Sequence, residues 1–194
     1  MKTLISILLI LGFTSNSTVK KRILSYPVVI SSADLIVEGE ISDVSFFVYE
    51  YDFKITEFIK GESEQEITIN MWKEWTCDAR IKRPKKSQRL LLFLTKKQNG
   101  EYEIINGSTG ELFISENDGI KTFGNSDFPK LNELKLGIKM FSKSYEYNGS
   151  IYSSYNEKTY FKQLVKQSEI EKMMTENGFF KSLVLWIKPK VINN

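Results

Sequence analysis

The sequence predicts a mainly β fold: a small antiparallel barrel of five or six strands followed by a helical extension. Three observations carry this. Apolar and polar residues alternate with period two through residues 33–60, the run Leu90-Leu91-Leu92-Phe93-Leu94 is continuously apolar, and the period lengthens after Pro129. With 194 residues, 41% hydrophobic and 26% charged, the composition is that of an ordinary globular chain. The length suits one domain with an appendage, since a single core stops growing at roughly 250–300 residues.

Two scarcities narrow the chemistry. The chain has no His and one Cys, Cys77. A Ser-His-Asp triad, a Cys-His pair, an HExxH zinc helix and a His general base are therefore impossible. So are a four-Cys zinc site and any disulfide within the chain. No cofactor or metal is expected, and no pair of carboxylates is singled out for catalysis, so the chain reads as a non-enzyme.

Residues 1–17 read as a signal peptide. Lys2 precedes the apolar run from Leu4 to Phe13, and Ser15 and Ser17 supply small residues for cleavage. The run is about half of the roughly 20 residues that span a bilayer, so no transmembrane segment is expected. The mature chain is expected to begin near Thr18, secreted or periplasmic.

Residues 18–128 are assigned to the barrel. Leu35, Val37 and Ile41 share a face of the first strand, and Gly39 marks a bulge or tight bend. Tyr51, Phe53, Ile55 and Ile59 alternate with polar residues up to Lys60-Gly61, and Ile67 and Ile69 continue the pattern. The Leu90–Leu94 run suits a strand covered on both faces. Residues 102–105 and 112–114 are shorter strands, and Asp118-Gly119 is a hairpin turn. Leu35, Val37, Tyr51, Phe53, Ile55, Ile67, Ile69, Leu91 and Phe93 are expected in one barrel core.

Residues 129–194 are assigned to a helical extension packed on the barrel. Leu131, Leu134, Ile138 and Phe141 define an amphipathic helix with Lys135 and Lys139 outside. Residues 145–155 read as a loop. Capping-box patterns at Ser154 and Ser168 predict a helix over Tyr160–Val165 that breaks and restarts, with Asn177-Gly178 as its stop. Residues 182–187 read as a strand or tail.

The segment Ser32-Ala33-Asp34-Leu35-Ile36-Val37-Glu38-Gly39, the strand that ends in Lys60-Gly61, and the Leu90–Leu94 run together resemble secreted OB-fold proteins of the TIMP-like or netrin-module type. The resemblance covers residues 30–125 and implies an OB-like barrel and a protein-directed interaction. It departs from the family at its mechanism. Metalloproteinase inhibitors of this type chelate zinc through a mature N-terminal Cys, and no Cys precedes Cys77 here. The disulfides that lock the family's N-terminus to its barrel have no counterpart either.

Charge is distributed in blocks. Residues 34–70 hold ten acids and two bases, and residues 71–97 hold nine bases and two acids. Within the second block Arg80, Lys82, Arg83, Lys85, Lys86 and Arg89 crowd a loop that Pro84 keeps from being helical, with Trp72 and Trp75 upstream. These eight residues are the candidate ligand-binding set. Basic groups beside aromatic rings suit a polyanion such as a nucleic-acid strand, an acidic glycan or a lipid head group. The bland alternative is a solvated loop neutralised by the acidic block, with Trp72 and Trp75 as core. Cys77 is expected to be a buried thiol. The Gly107-Ser108-Thr109-Gly110 loop has the composition of a phosphate cradle without its Lys or helix and reads as a turn. Asn106 and Asn148 begin glycosylation sequons. The expected partner is an extracellular or envelope protein, with a polyanion as the alternative.

Overall fold

The computed structural model describes residues 21–124, 127–151 and 159–192. The expected leader lies outside the described residues, as do Ser154-Tyr155-Asn156-Glu157 of the first capping box.

A short helix, α1 (Tyr26–Ser32), precedes β1 (Leu35–Ser45), β2 (Glu50–Lys60), β3 (Glu66–Asn70), β4 (Arg89–Lys96) and β5 (Tyr102–Ile104). These strands lie in the order β1-β2-β3-β5-β4, and β1 also pairs with β4, so the sheet closes on itself. The pairs are antiparallel except β3 with β5. This is a five-stranded, OB-like barrel. Two further strands, β6 (Glu111–Ile114) and β7 (Ile120–Lys121), extend the sheet outward from β4, turning at Asp118-Gly119.

Local chemistry explains the closure. Gly39 sits at a register shift between β1 and β2, and a Cβ there would approach Lys54 O to 2.3 Å. No side chain fits where the strand must bend that tightly. The segments Ala33-Asp34 and Lys60-Gly61 meet at one corner of the barrel. Gly61 adopts φ 74° directly against Asp34 O, and Asp34 Oδ2 accepts from Lys96 N at 2.8 Å. Lys60 Nζ donates to Ile30 O and Ser31 O at 2.9 and 2.8 Å, so a cation closes the C-terminal end of α1.

Strand β4 faces two cores. Leu90, Leu92 and Leu94 pack inside the barrel with Leu35, Val37, Tyr51, Phe53, Ile55, Ile67 and Ile69. Leu91 and Phe93 point outward, into a second core shared with the helices, which corrects their assignment to the barrel interior. Strand alternation puts neighbours on opposite faces, so a continuous apolar run feeds both.

The second core holds the C-terminal elements: α2 (Leu131–Ser144), β8 (Tyr145–Asn148), β9 (Tyr160–Gln163), α3 (Gln167–Glu176), α4 (Gly178–Ile187) and β10 (Val191–Ile192). Strands β8, β9 and β10 form a small separate sheet. Three expectations are corrected here. Residues 145–148 are a strand rather than a loop, and Tyr160–Gln163 is a strand rather than a helix. Residues 182–187 lie in α4, because Asn177 starts that helix: its side chain accepts from Phe180 N at 2.7 Å. Lys135 and Lys139 of α2 do not face water alone. Lys135 Nζ lies 2.5 Å from Glu38 and 2.7 Å from Glu57, and Lys139 Nζ lies 2.6 Å from Glu57. The acidic outer face of β1 and β2 is thus partly neutralised by the extension. No helix among the described residues is long and apolar enough to cross a membrane.

Candidate functional site

The connection between β3 and β4, residues 71–88, carries the expected binding set except Arg89, which opens β4, and the set sorts into two groups. Trp72 and Arg80 turn inward, while Arg89 is half-exposed and held in ion pairs. The Arg80 side chain is 2% exposed; its Nε lies 2.9 Å from Glu111 Oε1 and its guanidinium stacks 4.2 Å from the Trp72 ring. Trp72 Nε1 donates to Glu111 Oε2 at 3.0 Å. Arg89 bridges Glu38 at 2.7 Å and Asp118 at 2.8 Å. Arg80 is therefore not part of a solvated basic face, and one face of Trp72 is already covered.

The remaining five residues, Trp75, Lys82, Arg83, Lys85 and Lys86, are exposed. Trp75 is 39% exposed and pairs with Asp78 in a tight two-residue ladder, so it is not barrel core. Cys77 lies within that turn and is exposed rather than buried. Lys82 and Arg83 step to opposite sides of the loop. Lys82 Nζ sits 4.8 Å from the Phe113 ring of β6, and Arg83 sits 4.2 Å from the Phe46 ring at the β1–β2 turn.

On the Lys82 side the loop and the β6–β7 hairpin enclose a groove of about 420 Å³. Lys82, Lys85, Arg89 and Lys121 line it against one carboxylate, Glu116, with Phe113 as an apolar wall. Its net charge is positive, and Lys82, Lys85 and Lys121 join none of the ion pairs among the described residues. A groove of this kind can hold an anionic group by charge and pack its carbon framework on the ring.

The Gly107-Ser108-Thr109-Gly110 loop holds an anion of its own. Ser108 N lies 3.3 Å from Asp78 Oδ1, and Lys21 Nζ reaches Asp78 at 2.8 Å, Ser108 Oγ at 3.1 Å and Thr109 Oγ1 at 3.3 Å. The turn is filled by a protein carboxylate. Asn106 is also occupied, because its Nδ2 donates to Arg22 O at 3.0 Å while its Oδ1 accepts from Leu24 N at 3.3 Å. These contacts tie residues 21–24 to the barrel without a disulfide. Asn148 is exposed.

Sequence reasoning passed over Phe46, Phe47, Val48, Tyr49, Phe113 and Lys121. The first four carried a signal: apolar residues fill a hairpin turn, where Gly, Asn, Asp or Pro is the rule.

No family model matches this chain, and no curated protein matches it in sequence.

Proposed function

We propose that this chain is a secreted, non-catalytic binding module of TIMP-like OB fold that engages an acidic partner through the 82–89 loop. The observation that supports this best is the groove beside that loop, where Lys82, Lys85 and Lys121 stand around Phe113 with Glu116 as the one acid. The first reading of the partner is an acidic segment of an extracellular or envelope protein. A nucleic-acid strand or acidic glycan is the second, favoured by the ring beside the cations. A zinc-chelating inhibitor is not proposed, because the chain lacks the N-terminal Cys such chemistry uses.

The test is titration with polyaspartate and with a single-stranded oligonucleotide over a range of salt. Binding of the oligonucleotide should weaken with a log–log slope of roughly −0.7 per phosphate contacted. Replacing Lys82, Lys85 and Lys121 together with Gln should flatten the salt dependence and leave the thermal midpoint unchanged. Absence of binding to either probe at low salt, or binding indifferent to the three replacements, would reject the groove as the site.

A further inference from the structure

Phe46, Phe47, Val48 and Tyr49 are all exposed at the turn between β1 and β2, and Phe47 is 98% exposed. Contiguous apolar surface of this kind marks a contact with a protein or a membrane. The turn is held in place. Tyr49 adopts φ 63°, a left-handed backbone that is uncommon for an aromatic residue, and its carbonyl accepts from Met71 N at 2.9 Å. The Arg83 guanidinium lies over the Phe46 ring. Strand β1 pairs with β4 only from Leu35 to Glu40, whereas its pairing with β2 continues to Ser45. The aromatic tip therefore ends a ribbon that runs past the β1–β4 seam.

We propose that this tip inserts into the interfacial layer of an anionic lipid bilayer, with Arg83 and Lys86 against the headgroups. It presents four consecutive exposed side chains at a turn, which an interface about 5–10 Å deep accepts without a matching pocket. Aromatic residues favour that layer. Charge selects a lipid surface over a protein partner. Arg83 lies over Phe46, Lys86 is exposed three residues on, and residues 79–89 contain no acid. A plane of phosphates can meet both of these cations while the turn enters the layer. Asp43 and Glu50 stand behind the tip on the two strands and oppose deeper entry, confining insertion to the four turn residues. The inference goes beyond the groove, which lies on the other side of the loop.

Co-sedimentation of the purified full chain with vesicles of phosphatidylcholine and phosphatidylserine, compared with phosphatidylcholine alone, tests it. The chain should bind the anionic vesicles at low salt. Phe47→Ser with Val48→Ser should weaken this at least tenfold while leaving the thermal midpoint and oligonucleotide binding unchanged. Arg83→Gln with Lys86→Gln should weaken it by about fivefold per charge. An environment-sensitive fluorophore on Phe47→Cys, in a Cys77→Ser background, should brighten and shift to the blue on vesicle addition. The proposal is overturned if the anionic vesicles are not bound. It is equally overturned if the fluorophore does not respond and the tip double variant binds undiminished. Vesicles ignored while the tip double variant loses capture of a soluble protein would assign the tip to a protein interface instead. Oligonucleotide binding that fails while vesicle binding persists would reject the groove and leave the tip standing.

Discussion

Burial pushes the Glu111 carboxyl up to about 7, against the opposing pull of the Arg80 guanidinium and the Trp72 indole N–H. A carboxyl that holds its proton more tightly in the folded chain than in the unfolded one costs stability as it ionises. Stability should therefore fall as pH rises from about 4.5 through about 7, and this loss is complete above that. Glu57 acts in the other direction. Burial raises its pKa, but the bonds from Lys135 and Lys139 outweigh that and lower it, so its contribution is lost as pH falls below its ordinary value of 4.5. The two windows do not overlap. Carboxyl carbon NMR of Glu111 should show a midpoint near 7; a midpoint near 4 would overturn the assignment. Glu111→Ala should cost about 3 kcal/mol, because the buried Arg80 loses its buried carboxylate and keeps only the half-exposed Glu74 and the Trp72 carbonyl. None of this is legible in the sequence. The spacing of Arg80, Lys82 and Arg83 in a loop has no period, so nothing in it says that the first turns inward to a carboxylate thirty-one residues on while the others face water.

At the scale of single elements, Gly39 decides how β1 bends. A methyl group there meets Lys54 O and the Phe53 ring, neither of which can move without opening the β1–β2 pairing. Gly39→Ala should cost about 3 kcal/mol, read as a shift in the urea midpoint. A cost below about 0.5 kcal/mol would show that the strand has room to relax. The barrel strands were legible because each has one face in the core and one outside, and period two follows directly from that. The Leu90–Leu94 run was legible as doubly covered, but not which residues face which core. The C-terminal elements misled for a physical reason. Asn-Gly ends helices and also begins them, and Asn177 does both: its N–H donates to Met173 O at the end of α3, as expected, while its side chain starts α4. An apolar run as short as 182–187 fits a helix or a strand equally, and its partners settle the matter: Leu183 and Ile187 enter the helical core together. The binding set was half legible, since residue type reveals charge but not which charges already have partners.

For the molecule as a whole, the barrel and the extension share one apolar core through Leu91 and Phe93 and one charged seam through Lys135. They should unfold together. Far-UV signal from the helices and Trp72 fluorescence, in a Trp75→Phe and Trp186→Phe background, should give the same urea midpoint. Two separated transitions would show the extension to be an independent unit. Lys135→Met should cost about 1–3 kcal/mol, read as the same downward shift of both midpoints: it leaves Glu38 and Glu57 without one cation each, while Arg89 still holds Glu38 and Lys139 still holds Glu57.

The pairing of β1 with β4 also sets the order in which the molecule can form. Leu35 finds its strand partner at Leu94, so the barrel cannot close until residues 89–96 have been made and brought back to the start. Non-local pairings of this kind are slow, because the loop must be closed before any contact rewards it. Until then the inner face of β1, with Leu35, Val37 and Ile41, has no lid, and the chain is both open and prone to stick to its neighbours. Slow closure of this kind makes the apolar strand β1 the part of the newborn chain most exposed to its neighbours, for as long as β4 has yet to arrive.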